Sequence, residues 1–217
     1  MDGLGLLLLK GAWETIYITC IAGAFAYCLG LPIGILLAIC KPGGLRPAPV
    51  LYRILDLLVN LLRSVPFLIL LVAVIPFTRL IVGTSIGSIA TIPPLVIASA
   101  PFIARLIESS LLEVDAGVVE AATAMGCTAG QIIRKVMLPE ALPSLLNGAV
   151  IALTTILSYS AMAGFTGGGG LGAIAVNYGY YRYQSDVMLY TVIILILIVQ
   201  AIQSCGALLV RKVDKRR

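Results

Sequence analysis

The sequence predicts an all-α fold: a polytopic membrane helix bundle of five spans, with a helical loop on the cytoplasmic side. Three observations carry this. Of 217 residues, 60% are apolar and only 12% are charged, with a mean hydropathy of +1.06, too little charge to keep a soluble domain of this length dissolved. Five stretches are apolar for about the 20 residues that a helix needs to cross a hydrocarbon core. The cations segregate as well: with five spans, twelve of the 15 Lys and Arg residues fall on one side.

The first span, residues 15–40, is long enough to tilt or to run past the bilayer. The LGLLLLK run before it is too short for a cleavable signal peptide, and its lysine lies on the wrong side of the apolar stretch. Residues 41–60 open with turn formers and become amphipathic, which predicts a segment on the cytoplasmic surface feeding the second span, 64–82. The third span, 86–107, carries Pro93, Pro94 and Pro101, which either kink it or delay its start. A polar loop at 115–139 separates it from the fourth span, 142–164, and the fifth is 187–210. There is no internal repeat, so residues 1–217 read as one transmembrane domain.

Between the last two spans lies FTGGGGLGAIAVNYGYYRYQSD. Most of Tyr178, Tyr180, Tyr181 and Tyr183 read as interfacial belt residues. Gly167, Gly169 and Gly172 match GxGxxG by spacing, but a span precedes them and Asp186 comes too early for a ribose-binding acid. Sharp re-entry or close helix packing explains these glycines better.

Orientation follows from the cations. Lys41, Arg46, Arg53, Arg63, Arg105, Arg134, Lys135, Arg211, Lys212, Lys215, Arg216 and Arg217 share one side, against Lys10, Arg79 and Arg182 on the other. This predicts an inner-membrane chain with the N-terminus outside and the C-terminus in the cytoplasm. The net charge of +5 then reflects topology, and no nucleic-acid partner is expected. Five cysteines form no CxxC pair and histidine is absent, which leaves no basis for a metal site, a haem or a histidine proton relay. No cofactor and no catalytic residue is expected, so the chain is not read as an enzyme.

The polar loop has its own grammar. Asp115 is a candidate N-cap for a short helix through Met125, and Gly126 is suited to end it in the left-handed conformation. Thr128 and Gln131 have capping-box spacing for a second helix, with Ile132, Ile133, Val136 and Met137 on one face. Pro139 stops that helix or opens the fourth span. On periodicity alone, an interfacial helix sealing the bundle floor accounts for the loop equally well.

The spacing Glu120-Ala121-Ala122, then Gly126, then Val136-x-Leu138-Pro139 resembles the EAA signature of bacterial ATP-binding-cassette (ABC) importer permeases, with Val136 where isoleucine is usual. RSVPF (63–67) is similar to the motif that opens the second core helix in amino-acid permeases, and PFTRLIVGTSIG (76–87), APFIAR (100–105) and SYSAMAGFTGGGGLG (158–172) are similar to permease subunits of methionine importers. The resemblance implies a coupling helix, with Glu120, Ala121, Ala122, Gly126, Leu138 and Pro139 docking on a separate ATPase. It also implies an external substrate-binding protein, and D- or L-methionine or a related amino acid as cargo. The residues agree on energetics: none of the five lysines is followed by Ser or Thr, so no P-loop is present and the energy must come from a partner. Two ATPase copies need two docking loops, so one loop per chain implies a second copy of this chain about a two-fold axis.

For the pathway, Ser158 to Gly164 is the most polar run within any span, and polar side chains in a span usually face the bundle interior or water. Tyr159, Ser160 and Met162 are the candidate pathway residues. Tyr159 and Met162 share a helix face with Ala163, and Met162 is suited to a constriction. The alternative is that Met162 fills a core gap and Tyr159 is a belt residue. The competing function classes are a permease for another amino acid, a passive channel or a secondary transporter; the missing inverted repeat argues against the last.

Overall fold

The computed structural model describes residues 2–214, which leaves Lys215, Arg216 and Arg217 outside the described residues. Every regular element among these residues is helical. Four helical stretches are long and apolar enough to cross a membrane, or five if one bent pair counts as a single span.

Helix α1 (Asp2–Cys40) has 39 residues, about 58 Å at 1.5 Å per residue, and starts well before the predicted position 15. The leucine run at 4–9 continues the helix instead of preceding it. A turn with Gly43 at φ 81° ends it, and the Arg46 and Ala48 amides donate to the Ile39 and Cys40 carbonyls. Helix α2 (Pro49–Ser64) is amphipathic, as the sequence predicts. Its apolar stripe, Val50, Ile54, Leu57, Leu58 and Leu61, faces away from the bundle.

The predicted second span is not one helix. Val65 is extended (φ −82°, ψ 124°) ahead of Pro66, as the ring of a following proline demands. The chain then turns by 101° into α3 (Phe67–Ala73). Pro76 cannot donate to the preceding turn, so the helix breaks again at Val74 before α4 (Ile75–Val82). Next, a 3-10 turn (Ile89–Thr91) leads into α5 (Ile92–Leu112). Pro93 and Pro94 delay that start, occupying the first turn, where a missing N–H costs nothing.

The polar loop contributes α6 (Ala116–Ala124), α7 (Ala129–Ile132) with a π-helical continuation (Ile133–Met137), and a short α8 (Leu138–Glu140). Helix α9 (Leu142–Met162) and a 3-10 turn (Ala163–Thr166) form the fourth span. The chain then re-enters through α10 (Gly170–Ile174) and a π-helical stretch (Ala175–Tyr180). Helix α11 (Ser185–Val213) closes the bundle.

Helices α1 and α5 pack side by side in the same direction, because contacts advance along both: Glu14 meets Ser88, Gly30 meets Ala100 and Ile103, and Gly34 meets Ala104 and Ile107. A Cβ at Gly34 would lie 2.6 Å from the Ala104 carbonyl oxygen, so glycine sets the helix separation. Without water to drive helices together, such backbone contact is what holds a bundle in lipid. Ile18, Ala22, Ala26, Leu95, Ile103, Ile107, Ala152 and Ile156 fill the seam with α9. One end of the bundle gathers Glu14, Ser88 and Gly170; the other gathers Asp56, Arg105 and the polar loop.

Candidate coupling loop and translocation face

The polar loop is built from local rules. Val114 anchors its start in the core, and the Asp115 carboxylate accepts from the Gly117 amide (2.7 Å) and the Val118 amide (3.3 Å). Helix α6 ends where Gly126 takes φ 77°, and the Gly126 and Cys127 amides donate to the Thr123 and Ala122 carbonyls. No atom lies within 4 Å of the position a Gly126 Cβ would occupy. Glycine is therefore required there by the backbone alone. The capping box forms: the Thr128 amide donates to Gln131 Oε1 at 2.8 Å, and the Gln131 amide donates to Thr128 Oγ1 at 3.4 Å. Pro139 sits in the first turn of α8, so it opens a new turn toward the fourth span.

The two alanines of the signature have different surroundings. Ala122 is buried among core residues that include Val114, Ile132 and Met137, whereas Glu120 and Ala121 are exposed. Leu138 is half-buried against the same core and Pro139 is exposed. Alongside Ala121, at i−3 and i+4, Val118 and Met125 are also exposed, Met125 at 76%. The outer face of α6 is thus an apolar ridge beside one carboxylate. Sequence reading missed Val118 and Met125, although their spacing with Ala121 was there to find. Next to this ridge, Thr128, Gly130, Gln131, Arg134 and Lys135 line an open, basic groove.

A charged fork fixes the neighbouring end of α2. Arg105 on α5 donates to Asp56 (2.6 Å), Asn60 (2.9 Å) and Glu108 (2.7 Å), and Glu108 is buried. One guanidinium thereby serves two helices, a geometry that lysine could not match.

Helix α9 has three faces. Gly148, Ala152 and Ile156 enter the core, while Val150, Leu153, Leu157 and Ala161 border α11. The third is an exposed stripe, Asn147, Ile151, Ser158 and Met162, continued by Phe165. Met162 is 43% exposed. Tyr159, about 60° round the helix from it, is partly buried and stacks on Phe67 with ring centroids 4.4 Å apart and planes 4° apart. Ser160 is buried, and its hydroxyl donates to the Leu157 carbonyl at 2.7 Å. The three candidate pathway residues therefore point in different directions, and only Met162 lies on the exposed stripe.

Residues 30–217, which include the whole polar loop, match the family described as binding-protein-dependent transport system inner membrane component. The chain belongs to this family. It is 57% identical over 210 residues to the probable D-methionine transport system permease protein MetI of Vibrio cholerae, covering 97% of this chain and 93% of that protein. The D-methionine transport system permease protein MetI of Escherichia coli K12 is 54% identical over 158 residues, 73% of each chain. A chain of the MetNI methionine ABC transporter, solved in inward-facing conformations, superposes with a TM-score of 0.97 at 49% identity, covering 99% of this chain and 100% of that one. Membership makes this an inner-membrane transport component that contains several apolar helices. The broken α3–α4 segment and the long α1 belong to a fold shared along nearly the whole chain.

Proposed function

We propose that this chain is the permease subunit of an ATP-driven ABC importer that brings methionine, D- or L-, into the cytoplasm by alternating access. The carrying observation is the α6–Gly126–α7 loop, presented outward by a family member that has no nucleotide-binding motif of its own. Its exposed ridge of Val118, Ala121 and Met125 beside Glu120 suits a groove on an ATPase subunit, while Ala122 and Leu138 hold the loop to the bundle. Gly126 sets the angle between its halves, and Pro139 lets the next turn begin.

Two copies of the chain are needed, because each brings one docking loop and ABC engines close two ATPases on each other. The exposed stripe of α9, with Met162 near its outer end, is the surface that faces the second copy and the pathway. Tyr159, stacked on Phe67 on a neighbouring face, ties α9 to α3 at the break in the second span. The end of the bundle that holds the coupling loop and most cations is cytoplasmic, and an external binding protein delivers cargo to the opposite end. Residues 1–217 act as one transmembrane unit in a lipid bilayer, with the N-terminus outside.

The test is uptake in a bacterial strain lacking its own methionine importer, supplied with this chain, its ATPase and its binding protein. Radiolabelled L-methionine should accumulate in an ATP-dependent way, and unlabelled D-methionine should compete. Accumulation of another amino acid with methionine ignored would reassign the cargo. Equilibration without accumulation would favour a passive channel.

A further inference from the structure

Four hydroxyl-bearing residues converge at the end of the bundle opposite the coupling loop. Thr78 on α4, Ser85 after it, Thr91 at the start of α5 and Thr166 after α9 line a half-open pocket with room of about 20 Å³, whose other lining residues include the apolar Leu71, Ile75 and Pro94. One water molecule needs room of about 10–15 Å³. Thr78 is 2% exposed, and among the described residues its hydroxyl has no hydrogen-bond partner. Among the described residues the buried hydroxyls of Thr19 and Ser99 share this state, whereas Thr15, Thr123, Thr155 and Thr191 all donate to the carbonyl four residues back; of the three unpartnered hydroxyls, only that of Thr78 belongs to a residue lining this pocket. A buried hydroxyl with no partner is costly, and more so in a membrane bundle.

We propose that this cavity is a binding site for a single ordered water molecule, which links α4, the start of α5 and the turn after α9. The hydrogen-bond inventory closes around it. Thr91 and Thr166 already donate to the Gly87 and Ala163 carbonyls, leaving lone pairs free to accept. Ser85 accepts from Arg79 Nε at 3.1 Å, leaving its hydrogen free to donate. One water can accept from Thr78 and Ser85 and donate to Thr91 and Thr166, filling all four of its positions. No carboxylate lines the pocket and its one charged neighbour, Arg79, is already engaged with Ser85, so four uncharged hydroxyls suit a neutral ligand. The site also accounts for hydroxyls in the 76–87 block that neither the coupling loop nor the pathway uses.

The test is a double-mutant cycle on the purified full-length chain, read as apparent Tm. Thr78→Val keeps the shape and deletes the hydroxyl. With a bound water, Thr78→Val lowers Tm by on the order of 2–4 °C, because the water loses an anchor. Thr78→Val with Thr166→Val then loses clearly less than the two single losses combined, since the first change has already released the shared molecule. A Tm that is unchanged or raised in Thr78→Val means that the hydroxyl lies in a dry cavity and overturns the proposal. Losses that add, or exceed the sum, overturn it as well, because they assign the effects to separate local bonds. A map that resolves ordered solvent but shows this cavity dry would do the same.

Discussion

At the scale of single residues, the coupling loop turns on one backbone angle. Gly126 holds φ 77° with open space where a Cβ would sit, so any substitution there strains only the backbone. Gly126→Val is expected to cost about 1–2 kcal/mol locally and to swing α6 away from its register with α7. The bundle should still fold, with normal membrane levels by immunoblot, while co-purification of the ATPase falls. Met162 makes the complementary case. It lies exposed on the α9 stripe, so Met162→Ala should produce leak or uncoupled transport, and Met162→Trp should block uptake with the protein still in the membrane. Normal coupled uptake by both variants would return Met162 to packing. The loop's caps were readable because a cap is settled within about four residues, as at Asp115 and at Thr128 with Gln131. The inward turn of Ala122 was not readable, since it depends on where α6 meets α7 and its π-helical continuation, which no local spacing encodes.

Among elements, the charged fork between α2 and α5 is the connection the sequence hid. Asp56 and Arg105 lie 49 positions apart and meet at 2.6 Å only after the chain has turned at Pro66 and again at Gly83 and Gly87. The partners also differ in burial. Glu108 is buried beside Arg105, whereas the Asp56 side chain is about one-third exposed. Arg105→Ala leaves a buried carboxylate with no countercharge and should cost about 2–3 kcal/mol, less than a fully buried pair because Arg105 is itself partly exposed. Asp56→Asn keeps a hydrogen-bond acceptor at a wetter site and should cost under about 1 kcal/mol. Thermal unfolding of the two purified variants would check the order; equal losses would show that Glu108 does not depend on Arg105. The second span failed as a single helix for a related reason. Hydropathy summed over 64–82 passes smoothly through Pro66 and Pro76, yet each proline forbids the continuation that the sum assumes.

For the whole molecule, helix directions and charge point the same way. Helices α1 and α5 run parallel with α9 against them, and α11 returns along α9, as the contacts of Gly179 with Met188 and of Gly206 with Val150 require. The described termini therefore lie at opposite ends of the bundle, with the coupling loop at the C-terminal end. A cytoplasm-active reporter fused after residue 217 should be active, and residues 41–53 and 115–139 should resist protease added outside spheroplasts. Cleavage of 115–139 from outside would invert the proposed orientation. The claim on which the rest depends is that this chain moves cargo only when an ATPase drives it through the α6 loop. The most direct measurement is methionine uptake into proteoliposomes, comparing the chain alone with the chain plus its ATPase, its binding protein and ATP. Accumulation above equilibrium is expected for the assembled system only, and is lost on ATP omission. Uptake by the chain alone, indifferent to ATP, would contradict it.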